Sequence, residues 1–170
     1  MINLNQKLSD HFSLWECIRS ETASRHGIDN TPPPEKVIKI IYFCNSILEP
    51  IRNFYNVPFR PNSIYRCYEL GLKIYEKENE TEEDIKKKKY KANHSQHYFA
   101  EAGDIEVPGV SNYDLAVWVK NHLEFDQLIL ECYKIGQPSS GWVHISRKRQ
   151  GNRMQVKTWT GKQWIPGLIK

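Results

Sequence analysis

A long amphipathic segment places the strongest constraint on how this chain can fold. It follows the prolines at residues 32–34, and its apolar side chains recur every three or four positions, at Val37, Ile40, Ile41, Cys44, Ile47, Leu48, Ile51, Phe54 and Tyr55. This spacing predicts a helix with one buried face. Because proline is accepted in a first helical turn and resisted in an interior one, the helix should begin near Pro34. We expect this face to be core and to carry no chemistry.

The order of the remaining elements predicts an α+β fold. Ser13 and Glu16 have the form of a capping box, which predicts a short helix over residues 14–19 before a loop over residues 20–34. Further helices are predicted over residues 69–77 and 112–123, and strands over residues 59–65, 103–107, 125–131, 142–146, 155–159 and 163–165. Because helices come first and strands later without regular alternation, we expect a small antiparallel sheet flanked by helices, in a single domain of residues 1–170.

The segment 76–92 is the most strongly charged part of the chain. Acidic residues are followed there by four lysines at positions 86–89, which predicts a solvated, mobile excursion from the domain. A nucleic-acid-binding patch is the alternative, although one lysine run without interleaved aromatic side chains supports it weakly. The net charge of +4 and the pI of about 8.8 favour anionic partners without choosing among cell-wall polymer, nucleic acid and anionic lipid.

The sequence also bears on where the protein works. No run approaches the ~18 apolar residues that a membrane helix needs, and residues 1–6 do not have the form of a signal peptide. We therefore expect the protein to be made in the cytoplasm and not to insert into a membrane. A substrate outside the cell would then require that something else releases the protein.

Two histidines and an aspartate suggest a metal site. His97 and Asp104 lie in a stretch that leads from a loop into a strand, and His144 lies in a strand on the same side as Trp142. Three such ligands plus one open position are how a catalytic zinc is held. A lone histidine is more often a surface or hydrogen-bonded residue, and His94 lies near enough to replace His97 as a ligand, so spacing alone leaves the site open.

Hydrolysis at such a site also needs a base and a cation for the substrate. Glu131 ends the strand that should pair with the strand of His144, so its carboxylate could take the proton of the attacking water. Arg66 could bind a substrate carboxylate or a developing oxyanion, because a guanidinium is always charged and binds carboxylates in a fork. The alternatives are that Glu131 is solvated, that Arg66 forms a surface ion pair and that Asp104 caps a turn.

At these residues the chain resembles the zinc D-alanyl-D-alanine carboxypeptidase family. Its members cut peptidoglycan, share a fold with the hedgehog signalling domain, and are in many cases encoded by bacteriophages. The resemblance runs from Leu8 to about Ser146 and includes residues 8–16, 30–34, 47–52 and 125–129. Its central signature is Ser63-Ile64-Tyr65-Arg66, Ser95-Gln96-His97 with Ala102 and Asp104, and Trp142-Val143-His144.

The resemblance assigns roles to the residues of this signature. It implies that His97, Asp104 and His144 hold Zn²⁺, that Arg66 steadies the substrate and its developing charge, and that Ser95 contacts the substrate. We expect Tyr65 and Trp142, which belong to the same motifs, to be substrate-binding as well.

The chain also departs from the family pattern at several positions. Many relatives carry the acid/base carboxylate three residues before the last histidine, where this chain has Gly141. Glu131 matches a second family pattern in context but lies thirteen residues before His144, which requires an insertion in the connecting loop. Relatives usually have a glycine at the position of Ala100, and a short glycine-rich link in place of residues 76–92.

The function that the resemblance implies is a zinc-dependent peptidase hydrolysing D-amino-acid-containing peptide bonds in peptidoglycan stems. It would be a D,D-carboxypeptidase or a peptidoglycan endopeptidase of the phage lysin type. We expect stem peptides as partners, no nucleic acid, and a monomer that acts on the cell wall after release or as part of a virion. The alternative is a catalytically impaired cell-wall-binding or virion structural protein that retains the fold.

Overall fold

Seven α-helices and five β-strands are found in residues 3–170, the part of the chain that the computed structural model describes. In chain order they are α1 (Leu14–Ile18), α2 (Glu21–His26), α3 (Pro34–Phe43), α4 (Glu49–Tyr55), α5 (Tyr68–Ile74), α6 (Glu82–His94), β1 (Ala102–Ile105), α7 (Asn112–His122), β2 (Gln127–Glu131), β3 (Trp142–Ser146), β4 (Gln155–Trp159) and β5 (Trp164–Pro166). None of the helices in this part of the chain is long and apolar enough to cross a membrane.

The strands form one sheet in the order β1-β3-β2-β4-β5, which confirms the α+β class. The prediction of an antiparallel sheet was wrong in one pairing, because β4 runs parallel to β2 and the sheet is mixed. After β3 the chain passes the end of β2, and β4 pairs with the edge of β2 opposite to β3. There Gln155 N–H donates to the carbonyl oxygen of Asp126. As a result β2 is an interior strand with a neighbour on each side.

The two faces of the sheet have different chemistry. Leu128 and Leu130 of β2 and Val143 and Ile145 of β3 are fully buried and belong to the hydrophobic core. The alternate residues point to the opposite face, where Asp104, His144 and Ile129 are directly paired across β1, β3 and β2. The register of the sheet therefore places all site-bearing strand residues on one face.

The long helix predicted from Pro34 is present and reaches Tyr55 through α3, a π-helical segment at Cys44–Leu48, and α4. Its inner face, with Ile40, Ile47 and Ile51, is fully buried as expected. Phe54 was predicted on the same face but is 59% exposed. Ile41, which precedes the π segment, was also predicted on this face and is 38% exposed.

Three other predictions need correction. Residues 59–65 form no regular strand, and only an isolated bridge joins Ser63 to Asp104; the prolines at positions 58 and 61 lack the N–H that a ladder needs. The expected loop over residues 20–34 contains α2. Residues 76–92 contain most of α6, which was not predicted as a helix and has a capping box of Thr81 and Asp84.

Helix α6 is anchored to the domain near its C-terminal end. Ala92 is 1% exposed, and a Cβ built on Gly71 of α5 would lie 3.1 Å from the Cβ of Ala92. The absence of a side chain at Gly71 therefore allows the two helices to approach closely. Because Ser95, Gln96 and His97 follow α6 directly, the contact of Ala92 with Gly71 also positions these three residues.

Candidate metal centre

His97, Asp104 and His144 converge at one point on the polar face of the sheet. The Nε2 atom of His97 lies 3.3 Å from Oδ1 of Asp104, and Nδ1 of His144 lies 2.9 Å from the same oxygen. One ligand atom from each residue lies within 4.8 Å of the other two, and all three residues are buried. The sequence therefore predicted correctly that these three side chains meet.

Hydrogen bonds on the outer side of each ring turn a free nitrogen inward. His97 Nδ1 lies 2.9 Å from the carbonyl oxygen of Ile64, which can only accept, so this nitrogen donates and Nε2 keeps its lone pair. His144 Nε2 lies 3.2 Å from Oε1 of Gln96, which can also only accept. Such outer contacts are how proteins orient the histidines that bind metals.

The three side chains could hold a metal ion. Imidazole nitrogen and carboxylate oxygen are normal zinc ligands, and two ligands at about 2.0–2.1 Å from a tetrahedral ion are about 3.3 Å apart. The 3.3 Å between His97 Nε2 and Asp104 Oδ1 matches two ligands of one tetrahedral ion, and the 2.9 Å between His144 Nδ1 and the same oxygen is shorter. A buried carboxylate with two imidazole nitrogens close to one of its oxygens is also a donor set that a cation would stabilise.

The protonation states favour cation binding. Burial lowers the pKa of His97, which favours the neutral imidazole. Burial alone would raise the pKa of Asp104, but its polar and charged neighbours, Arg66 among them, outweigh burial and hold that pKa well below its usual range. Both shifts favour the deprotonated form in which His97 and Asp104 would bind a metal.

Arg66 lies against the ligands. Its Nη2 donates to Oδ2 of Asp104 and its Nε donates to Oγ of Ser63 at 2.8 Å. A guanidinium has five N–H groups, and these bonds use two of them, so the others can face a bound molecule. Arg66 therefore orients a ligand carboxylate and also lines the cleft in front of it.

Glu131 lies at the end of β2 and lines the same cleft. Its backbone is paired with Trp142 on β3, two residues along the strands from the pair of Ile129 with His144. Burial raises the pKa of the Glu131 carboxyl group. Trp142 also lines the cleft, and its buried indole N–H has no hydrogen-bond partner in the described part of the chain.

Gly141 stands in a position that cannot carry a side chain. Its φ is +67°, and a Cβ at this position would lie 1.9 Å from the carbonyl oxygen of Glu131. No side chain fits there without moving the backbone that carries Glu131. Ala100 has a positive φ of 57°, the region that glycine adopts most readily.

Of the other predicted site residues, Ser95 lines the cleft and Tyr65 does not. The Oγ atom of Ser95 accepts a hydrogen bond of 3.2 Å from the backbone N–H of His97. Tyr65 is 5% exposed and lies in the hydrophobic core, away from the lining residues. The ring of His94, the alternative ligand, stacks on Tyr90 at 4.0 Å and stands outside the ligand cluster.

The cleft has a volume of about 860 Å³ and extends well beyond the ligands. Its aromatic lining residues come from α5, α6, β3 and the C-terminal strands: Tyr75, Tyr90, Trp142, Trp159 and Trp164. Cavities of this size hold ligands larger than a single amino acid. The cleft is therefore open to a peptide or a larger molecule on the side of β4 and β5.

Sequence reasoning missed three residues that support the site. Gln96 contacts His144, Asp126 accepts a 2.9 Å hydrogen bond from Gln96 Nε2, and Arg153 forms an ion pair with Asp126. Gln96 and Asp126 stood inside motifs of the family resemblance but had no assigned role. No spacing could have found them, because Gln96 and Asp126 are 30 positions apart. The chain matches no family profile, no curated protein and no solved structure, so the interpretation of this site depends on its geometry and on the sequence motifs.

Proposed function

We propose that the protein is a zinc-dependent peptidase that hydrolyses D-amino-acid-containing peptide bonds in peptidoglycan stems. The observation that carries the metal-dependent part is the convergence of His97 Nε2, Asp104 Oδ1 and His144 Nδ1 on one point beside an open cleft. The substrate class comes from the motif resemblance, which includes the same three residues.

The residues around the ligands have the chemistry that such a reaction needs. Zinc bound there would supply a water molecule of lowered pKa and a positive charge for a developing oxyanion. Glu131 would accept the proton of that water and pass it to the leaving amine, and burial raises its pKa toward the range useful for both steps. Arg66 would hold a substrate carboxylate or carbonyl oxygen with its remaining N–H groups.

The test is to weigh the products formed from purified peptidoglycan and from defined muropeptides. We expect about one zinc per chain after chelator-free purification, and peptide products whose masses give the cleaved bond. Treatment with a chelator should abolish product formation, and added Zn²⁺ should restore it.

Each other outcome has a distinct meaning. Wild-type protein that binds zinc tightly but forms no product would identify a non-catalytic wall-binding or virion module. A folded wild-type protein that binds no divalent metal would refute the site itself. Release from the producing cell, or attachment to a virion, is part of the proposal only through the resemblance.

A further inference from the structure

Asp126 is a fully buried carboxylate just before β2, held by groups from three parts of the chain. Its Oδ1 accepts a 2.9 Å hydrogen bond from Arg153 Nε, and its Oδ2 also accepts from Arg153 Nη2, at 2.5 Å. Lys148 Nζ lies 3.1 Å from Oδ1, and Gln96 Nε2 donates to Oδ2 at 2.9 Å. A buried charge with this many donors is satisfied and stays in one orientation.

The contact with Asp126 determines which end of the Gln96 amide faces His144. An ionised carboxylate can only accept hydrogen bonds, so the NH₂ group of Gln96 must face Asp126. The carbonyl oxygen Oε1 then faces Nε2 of His144, at 3.2 Å. Without Asp126 the amide could turn over and present its NH₂ group instead.

The orientation of this amide bears on how His144 can bind a metal. Oε1 of Gln96 accepts only, which stabilises a proton on Nε2 of His144 and so favours the tautomer whose Nδ1 can bind a metal. Asp104 competes for that proton at Nδ1, and a metal ion between the two atoms would remove the competition. Nδ1 is the nitrogen that faces Asp104, at 2.9 Å. In His97 the same task is performed by the backbone carbonyl of Ile64, so His144 is the ligand that depends on side chains.

We propose that Gln96 and Asp126 are positioning residues that fix the ring orientation and the metal-binding tautomer of His144, with Arg153 holding Asp126 in place. The ligand site then extends to the segment between β3 and β4, beyond the part of the chain that carries the family resemblance. This inference rests on the metal site of the proposed function, and it does not require peptidase activity.

The test compares Gln96→Met with Gln127→Met. Both replacements remove an amide from the cleft lining, but Gln127 Nε2 donates to Gln155 and does not contact a ligand. Zinc affinity, measured by competition with a chromophoric chelator, should fall about 10- to 100-fold in Gln96→Met. Gln127→Met should bind zinc as tightly as the wild type.

A second readout distinguishes positioning from general damage. In zinc-loaded protein labelled with ¹⁵N-histidine, the His144 Nε2–H proton should give a downfield signal that exchanges slowly with water. In Gln96→Met this signal should move upfield and exchange faster, while the Nδ1–H signal of His97 stays unchanged. Asp126→Asn should produce the same loss at His144.

Several results would overturn the inference. One is wild-type zinc affinity in Gln96→Met, and another is weaker affinity with an unchanged His144 signal. If Gln96→Met does not fold, the histidine signals of the zinc-loaded wild type test the inference by themselves. A proton on Nδ1 of His144 in that protein would contradict the proposed tautomer. A wild type that binds zinc without cleaving peptidoglycan would refute the peptidase proposal and leave this inference standing.

Discussion

Glu131 lies in the cleft beside the ligand cluster but does not belong to it. Replacing it with glutamine removes the proposed proton acceptor and keeps the shape of the side chain. We expect Glu131→Gln to retain its zinc and to lose turnover by about 10²- to 10⁴-fold. Metal analysis and product formation from muropeptides measure the two effects separately.

The matched control for this change is Glu83→Gln on α6. Glu83 pairs with Lys87 at the exposed helix surface, and the side chain of Glu83 is 75% exposed. Zinc content and turnover should both stay at the wild-type level in the control. Full activity in Glu131→Gln would assign the base to another residue.

The site was predictable at the residues that bear its chemistry, and less so at those that support them. His97, Asp104 and His144 could be named because their side chains have metal-binding chemistry in a recognisable order. Arg66 and Glu131, whose proposed roles concern the substrate and the proton, line the same cleft. Tyr65 stood in the same motif, but a tyrosine's place in a cleft or a core depends on tertiary packing that no motif records. The contact of Gln96 with Asp126 was invisible for the same reason.

At the scale of elements, the turn between β2 and β3 depends on Gly141. Its positive φ and the approach of Glu131's carbonyl oxygen leave no room for a Cβ. We expect Gly141→Ala to destabilise the fold by more than 2 kcal/mol, since strain in the left-handed region costs about 1–2 kcal/mol and the clash adds to it. Urea unfolding at equilibrium measures the loss.

Gly136 in the same connection provides the control. It also has a positive φ, +77°, but a Cβ there would meet nothing within 4 Å. Gly136→Ala should therefore cost only the backbone strain, about 1–2 kcal/mol. Equal losses of unfolding free energy in the two variants would show that the backbone near Gly141 shifts to accept a Cβ without further cost.

Local sequence signals predicted some elements better than others. The helix from Pro34 was found because its spacing extends over six turns and the segment begins with proline. Helix α6 was missed although Thr81 and Asp84 form the same kind of capping box that revealed α1, because the charges of the segment outweighed the cap. The parallel pairing of β4 with β2 could not be predicted, because strand propensity says nothing about direction.

At the scale of the whole molecule, Asp126 links stability to pH. Its hydrogen bonds to Arg153 lower its pKa from 3.8 to about 2, so the ionised form stabilises the folded state. This stabilisation is complete above the unfolded-state pKa and is lost as the pH falls from about 4 to about 2. A shift of this size corresponds to about 2 kcal/mol.

The corresponding variant is Asp126→Asn. Its loss of unfolding free energy relative to the wild type should be about 2 kcal/mol near neutral pH and should shrink toward pH 2. Urea titrations at both ends of this range test the prediction. Adding Arg153→Met to Asp126→Asn should cost little more, since both changes break the same ion pair. A loss that does not depend on pH would contradict the assignment.

The mixed sheet determines how distances in the site can vary. Asp104, His144 and Glu131 stand on adjacent strands β1, β3 and β2, whose separation of about 4.8 Å is set by main-chain hydrogen bonding. Helix α6 and the β4–β5 hairpin contribute residues to the rim of the cleft instead. Substitutions on that rim can therefore alter which molecules enter the cleft. The distances between the backbones that carry Asp104, His144 and Glu131 should not change, because the hydrogen bonds of the sheet set them.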